Sequence, residues 1–436
     1  MNDVLILATT TGYQTRAFGD AAARLGVNLV FATDRCHLIE DPWQDGAIPI
    51  RFYDEDESVA AVLDSARRRP IDGVVVVGDR PTVIAARVAE ALGLPFHPRE
   101  AAAIARHKQR TRERLREAGL AVPWFVSFPI NTNPESLIPS PWRGPYVLKA
   151  VSLSGSRGVM RVDDPESLTV ALDRLRAIVR SPDVRAERNE AHETALLEGF
   201  IPGREYAVEA LMHHGRCHVL AMFDKPDPLD GPFFEETIYI TPSLASETIQ
   251  RDIETTVALA AEAIGLHHGP IHAECRVSSE GVFILEVAAR PIGGLCARAL
   301  RLQSAIRLPP SAISLEELLL RHALGEDPAH YQRETAASGV MMIPIPRRGV
   351  LRGVDGVDAA QQVPHIVDVE VTAKMDQRLV PLPEGASYLG FIFARAEHPA
   401  AVDEALRAAH RRLAFAIDPE FPVLDASQIH YNLQHG

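Results

Sequence analysis

The hydrophobic positions follow a regular rhythm through the first hundred residues. Short apolar runs, at residues 4–8 and at Gly73–Val77, alternate with stretches such as Thr82–Leu92, in which apolar residues recur at helical spacing. Buried strands that alternate with helices are typical of a parallel sheet covered by helices. The pattern therefore predicts a parallel α/β domain over residues 1–105.

A period-two alternation marks residues 269–290. It predicts two strands joined by the three-residue loop Ser279-Glu280-Gly281, with Gly281 where a positive φ is needed. This loop places Glu274 opposite Glu286. The face suited to burial then carries Ile271, Ala273, Cys275, Val277, Phe283, Leu285 and Val287. The opposite face carries His272, Glu274, Arg276, Val282, Ile284, Glu286 and Ala288.

The opposed glutamates are candidate metal ligands. Directly paired residues lie about 4.5–5.5 Å apart at Cβ, and two like charges at that distance destabilise a sheet. A divalent cation between the carboxylates would remove the repulsion, and oxygen ligands favour Mg²⁺ or Mn²⁺ over zinc. The alternative is that Glu274 and Glu286 are two solvated side chains on an exposed strand.

Composition narrows the class of protein. With 436 residues, 46% hydrophobic and 24% charged, the chain has room for two to four soluble domains. The net charge of −13 without a basic stripe argues against nucleic acid as a partner. No run approaches the ~18 apolar residues of a membrane span, and the four cysteines show no CxxC spacing. We therefore expect a cytoplasmic protein that binds neither membranes nor nucleic acids.

Lysine use points to anion binding. Only Lys108, Lys149, Lys225 and Lys374 are lysines among 45 basic residues. A compact ammonium reaches a phosphate in a narrow site that a guanidinium does not enter. Lys108 sits in the first turn of a basic helix predicted from residue 106, and Lys149 lies at the end of a predicted strand. A hairpin follows with Ser154, Gly155, Ser156 and Gly158, whose backbone amides could wrap phosphate oxygens. A plain turn is the alternative.

These motifs together resemble the ATP-grasp superfamily. The two lysines, the Gly/Ser hairpin, the segment from Glu198 to Glu205, Lys225 and the Glu274/Glu286 hairpin occur in the family's order over residues 100–300. Within it, the segments LEVAARPIGG at 285–294 and DKP…FEET at 224–237 resemble the L-amino-acid ligases. The resemblance implies a multidomain α/β and α+β fold. Its parts would be a Rossmann-like domain at 1–105, an ATP-grasp domain at 106–310 with a lid near 140–200, and a mixed α+β C-terminal domain at 311–436.

The resemblance also implies a role for each matching residue. ATP and two Mg²⁺ (or Mn²⁺) ions would be bound. Lys108, Lys149 and the hairpin would hold the α- and β-phosphates, Glu198, Phe200 and Ile201 the adenine, Glu205 the ribose, and Lys225 the γ-phosphate. Glu274 and Glu286 would bind the metals, and Arg290 would steady the phosphoryl oxygens and the oxyanion. Glu236, Tyr239, Gly293 and Gly294 would contact the substrates.

The implied reaction joins a carboxylate and an amine, expected to be amino acids, through an acyl phosphate, with a homodimer as a candidate assembly. Three alternatives stay open: another ATP-grasp ligase, a kinase acting on a different carboxylate, and a nucleotide-binding protein without catalysis.

Two departures from the family stand out. The chain has Glu286-Val-Ala288 where many members have Glu-x-Asn, so water or His272 would complete the second metal. It has Tyr239 where the amino-acid ligases usually have His. Near the C-terminus, residues 399–415 predict an amphipathic helix, and His322, His330 and His365 are expected to be solvated or structural rather than ligands.

Overall fold

The computed structural model describes residues 2–9, 14–34, 47–137, 141–304 and 312–420. Its N-terminal part is a four-stranded parallel sheet in the order β3-β2-β1-β4. The elements are β1 (Asp3–Ala8), α1 (Thr15–Leu25), β2 (Asn28–Thr33), β3 (Ile48–Pro49), α2 (Glu55–Arg68), β4 (Gly73–Val77), α3 (Thr82–Leu92) and α4 (Arg99–Ala105). The predicted parallel α/β fold is confirmed in this part.

A second, smaller sheet follows, antiparallel and ordered β5-β8-β6-β7. Its region contains α5 (Lys108–Glu117), β5 (Phe125–Pro129), β6 (Tyr146–Ala150), β7 (Met160–Val162), α6 (Pro165–Val179), α7 (Pro182–Ala186) and β8 (Thr194–Gly199). Helix α6 begins at a capping box formed by Asp164 and Ser167. The Gly/Ser segment is the loop that joins β6 to β7, as the sequence predicts.

An antiparallel sheet of eight strands carries most of the site. Its central elements are β9 (Arg204–His213), β10 (Arg216–Asp224), β11 (Ile238–Thr241), α8 (Glu247–Ile264), β12 (Gly269–Ser278) and β13 (Gly281–Ala288). The later elements are β14 (Arg301–Ser304), β15 (Ala312–Ser314), α9 (Leu315–Ala323), β16 (Tyr331–Arg333), β17 (Ala337–Ile343), β18 (Gly349–Asp355), α10 (Val357–Gln361), β19 (Ile366–Val371), β20 (Arg378–Leu379), β21 (Gly390–Ala396), α11 (Pro399–His410) and β22 (Ala414–Asp418).

The eight strands lie in the order β13-β12-β9-β10-β11-β17-β21-β19, so the last three come from beyond residue 330. Small sheets β15-β14-β16 and β20-β18-β22 flank them. The C-terminal region is therefore continuous with the central sheet through β11 and β17, which pair from Ile238 with Met341 to Thr241 with Ser338. The boundaries 105/106 and 310/311 stay predictions.

The β12–β13 hairpin confirms the pairing of Glu274 with Glu286 but corrects the loop. Ser278 pairs with Gly281, so the loop has two residues, and a bulge at Leu285 restores the register. The predicted faces are consequently wrong for residues 282–285. Val282 and Ile284 pack in the apolar cluster with Ile271, whereas Leu285 lines a cavity.

Two further observations complete the description. The predicted helix 399–415 is too long, because α11 ends at His410 and residues from Ala414 form β22. Among the described residues, no helix combines the length and the apolar character needed to cross a membrane.

Candidate active site

One cavity of about 370 Å³ lies between the small sheet, the central sheet and the C-terminal region. Sixteen predicted site residues line it: Lys108, Lys149, Ser154, Gly155, Ser156, Glu198, Phe200, Ile201, Glu205, Glu236, Tyr239, Glu274, Glu286, Arg290, Gly293 and Gly294. Lys225 and Gly158 are not among its lining residues. The structure thus brings nearly all of the predicted residues together.

Lys108 and Lys149, called the phosphate-side lysines because both are predicted to bind phosphate, are held in place by neighbouring groups. Lys108 Nζ donates to the Leu153 carbonyl at 2.6 Å and lies 3.5 Å from Glu286. Lys149 forms an ion pair with Glu198, whose carboxylate also accepts from Arg112 Nε at 3.0 Å. Burial raises the pKa of Glu198, but Arg112 and Lys149 outweigh it and hold that pKa at about 2. The Glu198 carboxylate thus orients Lys149, and its predicted adenine contact stays a prediction.

The segment after β8 presents backbone groups to the cavity. The Ile201 carbonyl accepts from Arg276 Nη1 at 2.8 Å, and the Phe200 amide donates to the Pro145 carbonyl at 3.0 Å. The Phe200 carbonyl and the Ile201 amide are thus the groups that could contact an adenine edge. Phe200 stacks on Phe234 with ring centroids 6.4 Å apart. Backbone groups beside two aromatic rings suit a flat heterocycle, although Arg161 and Arg276 also lie over the Phe200 ring.

Glu205 lies near the start of β9, and its carboxylate binds two cationic side chains. It accepts from Arg276 Nε at 2.9 Å and from Lys225 Nζ at 2.8 Å. A carboxylate has about four lone-pair positions, so two remain for ribose hydroxyls. The predicted ribose contact is compatible with this arrangement and stays a prediction.

Lys225 is enclosed by three carboxylates. Its Nζ donates to Glu205 and Glu236 and lies 3.5 Å from Glu274 Oε1. Burial lowers the pKa of Lys225, but the three carboxylates raise it well above its usual value. The ring of Tyr239 lies beneath the ammonium, 4.9 Å from Nζ. Lys225 therefore stays charged. It does not line the cavity itself, but the three carboxylates that it contacts do.

The hairpin glutamates fit a metal site in their chemistry. Both are partly exposed, with 22% and 26% of the side chains of Glu274 and Glu286 accessible. They supply only oxygen atoms, as Mg²⁺ prefers. His272 Nε2 lies 3.5 Å from Glu274, and its Nδ1 lies 3.1 Å from Glu209. Burial lowers the pKa of His272, but these two carboxylates raise it to about 9. His272 thus lies between two carboxylates, and its part in completing the second metal stays a prediction.

Arg290 follows β13 and is fixed by the N-terminal domain. Its Nε and Nη2 donate to the two oxygens of Asp79 at 2.9 and 3.2 Å. Burial lowers the pKa of Arg290, but Asp79 and Glu286 raise it above its usual value. Asp79 lies two residues beyond the end of β4, at the carboxyl edge where open α/β sheets bind ligands. The guanidinium is thus aimed at the cavity by a two-point contact.

Residues 292–294 line the cavity beside Arg290. The Ile292 amide donates to Glu209 at 3.1 Å, and its carbonyl accepts from Gln14 Nε2 at 2.6 Å. Gly294 has a φ of +60°, and an added Cβ would meet Phe391 at 3.0 Å. Around Gly293 nothing lies within 4 Å of an added Cβ, so this position leaves space in the cavity.

Three family models match the chain in sequence order. The ATP-grasp N-terminal domain matches residues 19–96, the ATP-grasp domain 142–299, and the L-amino acid ligase C-terminal domain 2 matches 341–418. The chain belongs to the ATP-grasp superfamily. The resemblance to the ATP-grasp superfamily that the sequence indicated is confirmed, and so is the predicted enzyme class, an ATP-dependent ligase.

Individual relatives agree with this ATP-grasp assignment. The crystal structure of an L-amino acid ligase from Bacillus licheniformis has a TM-score of 0.79 and 26% identity, and the match covers 96% of this chain and 99% of that one. An uncharacterized protein, y4rH of Sinorhizobium fredii, is 24% identical over 98% of this chain and 86% of its own length. The alanine–anticapsin ligase of Bacillus subtilis is 27% identical, but the match spans only 55% of this chain and 52% of that ligase.

The β6–β7 loop and helix α6, which belong to the predicted lid, are docked on the C-terminal region. Gly158 donates its amide to the Pro383 carbonyl at 2.9 Å, and Arg157 Nε donates to the Glu384 carbonyl at 2.8 Å. Arg174 on α6 donates to the Glu384 carboxylate at 2.8 and 2.9 Å. An added Cβ at Gly158 would lie 2.8 Å from Leu175, so this glycine serves packing of the hairpin. Its amide is thus already bound to the Pro383 carbonyl, and its predicted contact with phosphate stays a prediction.

Sequence reasoning missed several residues of the ATP-grasp site. Arg112 lies in a helix that looks solvated from its charges, yet its side chain is fully buried against Glu198. Its spacing of four from Lys108, on one helix face, was the available signal. Arg276 shares a strand face with Glu274, which the alternation did predict. The C-terminal lining residues Met342, Thr372, Ala386, Ser387, Tyr388 and Phe391 carried no sequence signal.

Proposed function

We propose that this chain is an ATP-dependent carboxylate–amine ligase that forms an amide between amino acids or related small molecules and releases ADP and phosphate. The observation that carries the proposal is that the phosphate-side lysines, the opposed glutamates and Arg290 line the same cavity as Glu236 and Tyr239. One cavity would then hold both the nucleotide and the substrate carboxylate that the nucleotide activates.

In the proposed nucleotide half of the cavity, each part of ATP is assigned a binding group of this chain. ATP would supply the γ-phosphoryl group, and Glu274 and Glu286 would hold Mg²⁺, which would neutralise phosphate charge. Lys108 and Lys149 neutralise the α- and β-phosphates, and Lys225 serves the γ-phosphate. Glu205 binds the ribose, and the segment at Phe200 and Ile201 binds the adenine.

The reaction is proposed to proceed in two displacements. A substrate carboxylate oxygen attacks the γ-phosphorus and ADP leaves, which gives an acyl phosphate. The amine nitrogen then attacks the acyl carbon, phosphate leaves, and the amine loses a proton. Arg290 donates to the oxyanion of the second step, and Asp79 keeps its guanidinium oriented. Docking of the 152–158 hairpin excludes water that would hydrolyse the acyl phosphate.

The substrate half favours an amino acid with an apolar side chain. Its wall contains Cys296, Met342, Tyr388 and Phe391, and Gly293 leaves the cavity open beside it. Burial and then Glu236 raise the pKa of Tyr239 well above its usual value. Tyr239 therefore keeps its hydroxyl proton and could donate to a substrate carboxylate. Glu236 is the group placed to accept from a substrate ammonium.

The decisive experiment measures phosphate release from Mg²⁺–ATP with amino acids supplied singly and in pairs, together with mass spectrometry of the products. We expect release that requires two amino acids and a product whose mass is their sum less water. Phosphorylated carboxylate without amide would support a kinase. A lack of ATP turnover with amino acids, other carboxylates and amines, despite measurable nucleotide binding, would overturn the proposal.

A further inference from the structure

A cluster of histidines lies outside the ATP-grasp cavity. His213 ends β9, His268 directly precedes β12, and His322 lies in the last turn of α9. One ring nitrogen of each can be chosen so that all three lie within 4.8 Å of one another. Three separate parts of the chain thus converge on one point.

The contacts among these rings leave the ring nitrogens of one histidine without a well-formed hydrogen bond. His213 Nδ1 lies 3.2 Å from His322 Nε2, and the rings of His268 and His322 stack with centroids 4.1 Å apart. His268 is only 2% exposed, and neither of its ring nitrogens has a hydrogen bond of good geometry among the described residues, although the backbone of His322 lies close enough to raise its pKa. A buried imidazole always carries at least one N–H and normally binds something with it. His268 therefore points to a missing partner.

The chemistry of the cluster identifies the class of that partner. Imidazole nitrogen is a ligand for zinc and related transition metals, and the ligating form is the neutral ring. His268 and His322 are each 2% exposed, and burial disfavours the charged form of an imidazole, so their packing suits the neutral ring. The nearby His97 is already satisfied, because it contacts the Pro270 carbonyl at 3.0 Å and the His267 amide at 3.2 Å.

We propose that His213, His268 and His322 bind one divalent transition-metal ion of the zinc class. The 3.2 Å separation of His213 and His322 already approximates the distance between two ligands of a tetrahedral ion with bonds of about 2.0–2.1 Å. A small movement of His268 closes the third bond, and water completes the shell. The nitrogen ligands separate this site from the all-oxygen Mg²⁺ site.

The proposed ion joins α9 to the ends of β9 and β12. These strands continue toward the active site, where they carry Glu209 and His272, each four residues or about 13 Å along its strand from the cluster. Helix α9 also packs against β4, since an added Cβ on Gly73 would lie 2.7 Å from the Ala323 carbonyl oxygen. The ion would thus brace the contact between the N-terminal domain and the central sheet.

The test uses the full chain without an affinity tag, stripped with a chelator and kept in excess Mg²⁺ so that the carboxylate site stays filled. Co²⁺ is the probe, because its visible absorption is strong in tetrahedral sites and weak in octahedral ones. We expect one equivalent of Co²⁺ with a tetrahedral spectrum, displacement by Zn²⁺, and a higher Tm when Zn²⁺ is bound. His268→Gln and His322→Gln should abolish all three, whereas His330→Gln, at an exposed histidine, should keep them.

X-ray absorption of the Zn²⁺-loaded wild-type chain gives an answer even where a histidine variant does not fold. Three imidazole nitrogens at about 2.0–2.1 Å are expected. The proposal is overturned if the ion has an oxygen-only shell, if Co²⁺ binds with an octahedral spectrum, or if folded His322→Gln binds it as the wild type does. Loss of Co²⁺ binding in Glu286→Gln would also overturn it, because the ion would then belong to the carboxylate site.

Discussion

The guanidinium of Arg290 and the carboxylate of Asp79 form a two-point ion pair between residues 211 positions apart in the chain. Asp79 belongs to the parallel N-terminal domain, and Arg290 follows the hairpin that carries Glu274 and Glu286. Burial raises the pKa of Asp79, but Arg290 lowers it overall, so the pair stays ionised. The N-terminal domain thus positions a candidate catalytic group of the central domain.

Asp79→Asn is expected to lower kcat about tenfold to a hundredfold while the Kd for ATP changes little, because partners that orient a functional group typically contribute that much. Steady-state kinetics and nucleotide titration measure the two quantities. Asp72→Asn is the matched control, since Asp72 lies just before the same strand and accepts only from the Asp3 amide, at 2.8 Å. Equal losses in kcat and ATP affinity would place Arg290 in ground-state binding.

Glu286→Gln is expected to reduce ATP turnover on the order of 10²–10³-fold, because an amide does not replace a carboxylate as a metal ligand and phosphate charge is left uncompensated. Circular dichroism should be unchanged. Glu280→Gln, at the exposed tip of the same hairpin, should behave as wild type. Near-full activity of Glu286→Gln would refute the metal assignment.

Glu198→Gln is expected to change acid stability. The folded-state pKa of Glu198 is about 2 against an ordinary value of 4.5, so its ionisation stabilises the fold above pH 4.5, and this contribution is lost as the pH falls through 2. A shift of this size corresponds to about 3 kcal/mol. Urea unfolding from pH 6 to pH 2.5 should therefore show a flatter pH dependence in the variant.

Glu193→Gln provides the control for that measurement, because Glu193 is exposed and lies five residues earlier. Its unfolding curves should follow the wild type at every pH. Identical pH slopes for Glu198→Gln and the wild type would show that the Arg112–Glu198–Lys149 cluster does not contribute to acid stability.

Glu384→Ala is expected to uncouple the proposed reaction. It removes the carboxylate that Arg174 binds, which loosens the lid docked at residues 383–384, so water should compete for the acyl phosphate. The ratio of amide formed to phosphate released should fall several-fold, with little change in the rate of phosphate release. Glu397→Ala, at a side chain that is 89% exposed, is the control and should keep the wild-type ratio.

Local patterning determined much of this protein. The periods of apolar residues predicted Gly73–Val77 and Thr82–Leu92 with the bounds that the structure has. Alternation also placed Glu274 opposite Glu286, although the structure reaches this pairing through a two-residue loop and a bulge at Leu285 and not through the predicted three-residue loop. The motif order, read beside the ATP-grasp resemblance, named sixteen residues that line one cavity.

Only the tertiary structure decided which groups each of these residues meets. The burial of Arg112 against Glu198, the Asp79–Arg290 pair and the histidine cluster at His268 all join segments far apart in the chain. Periodicity and turn chemistry describe contacts within a few residues, whereas an ion pair or a ligand set depends on how sheets and helices stack. A buried arginine and a solvated one therefore look alike in the sequence until packing removes water from one of them.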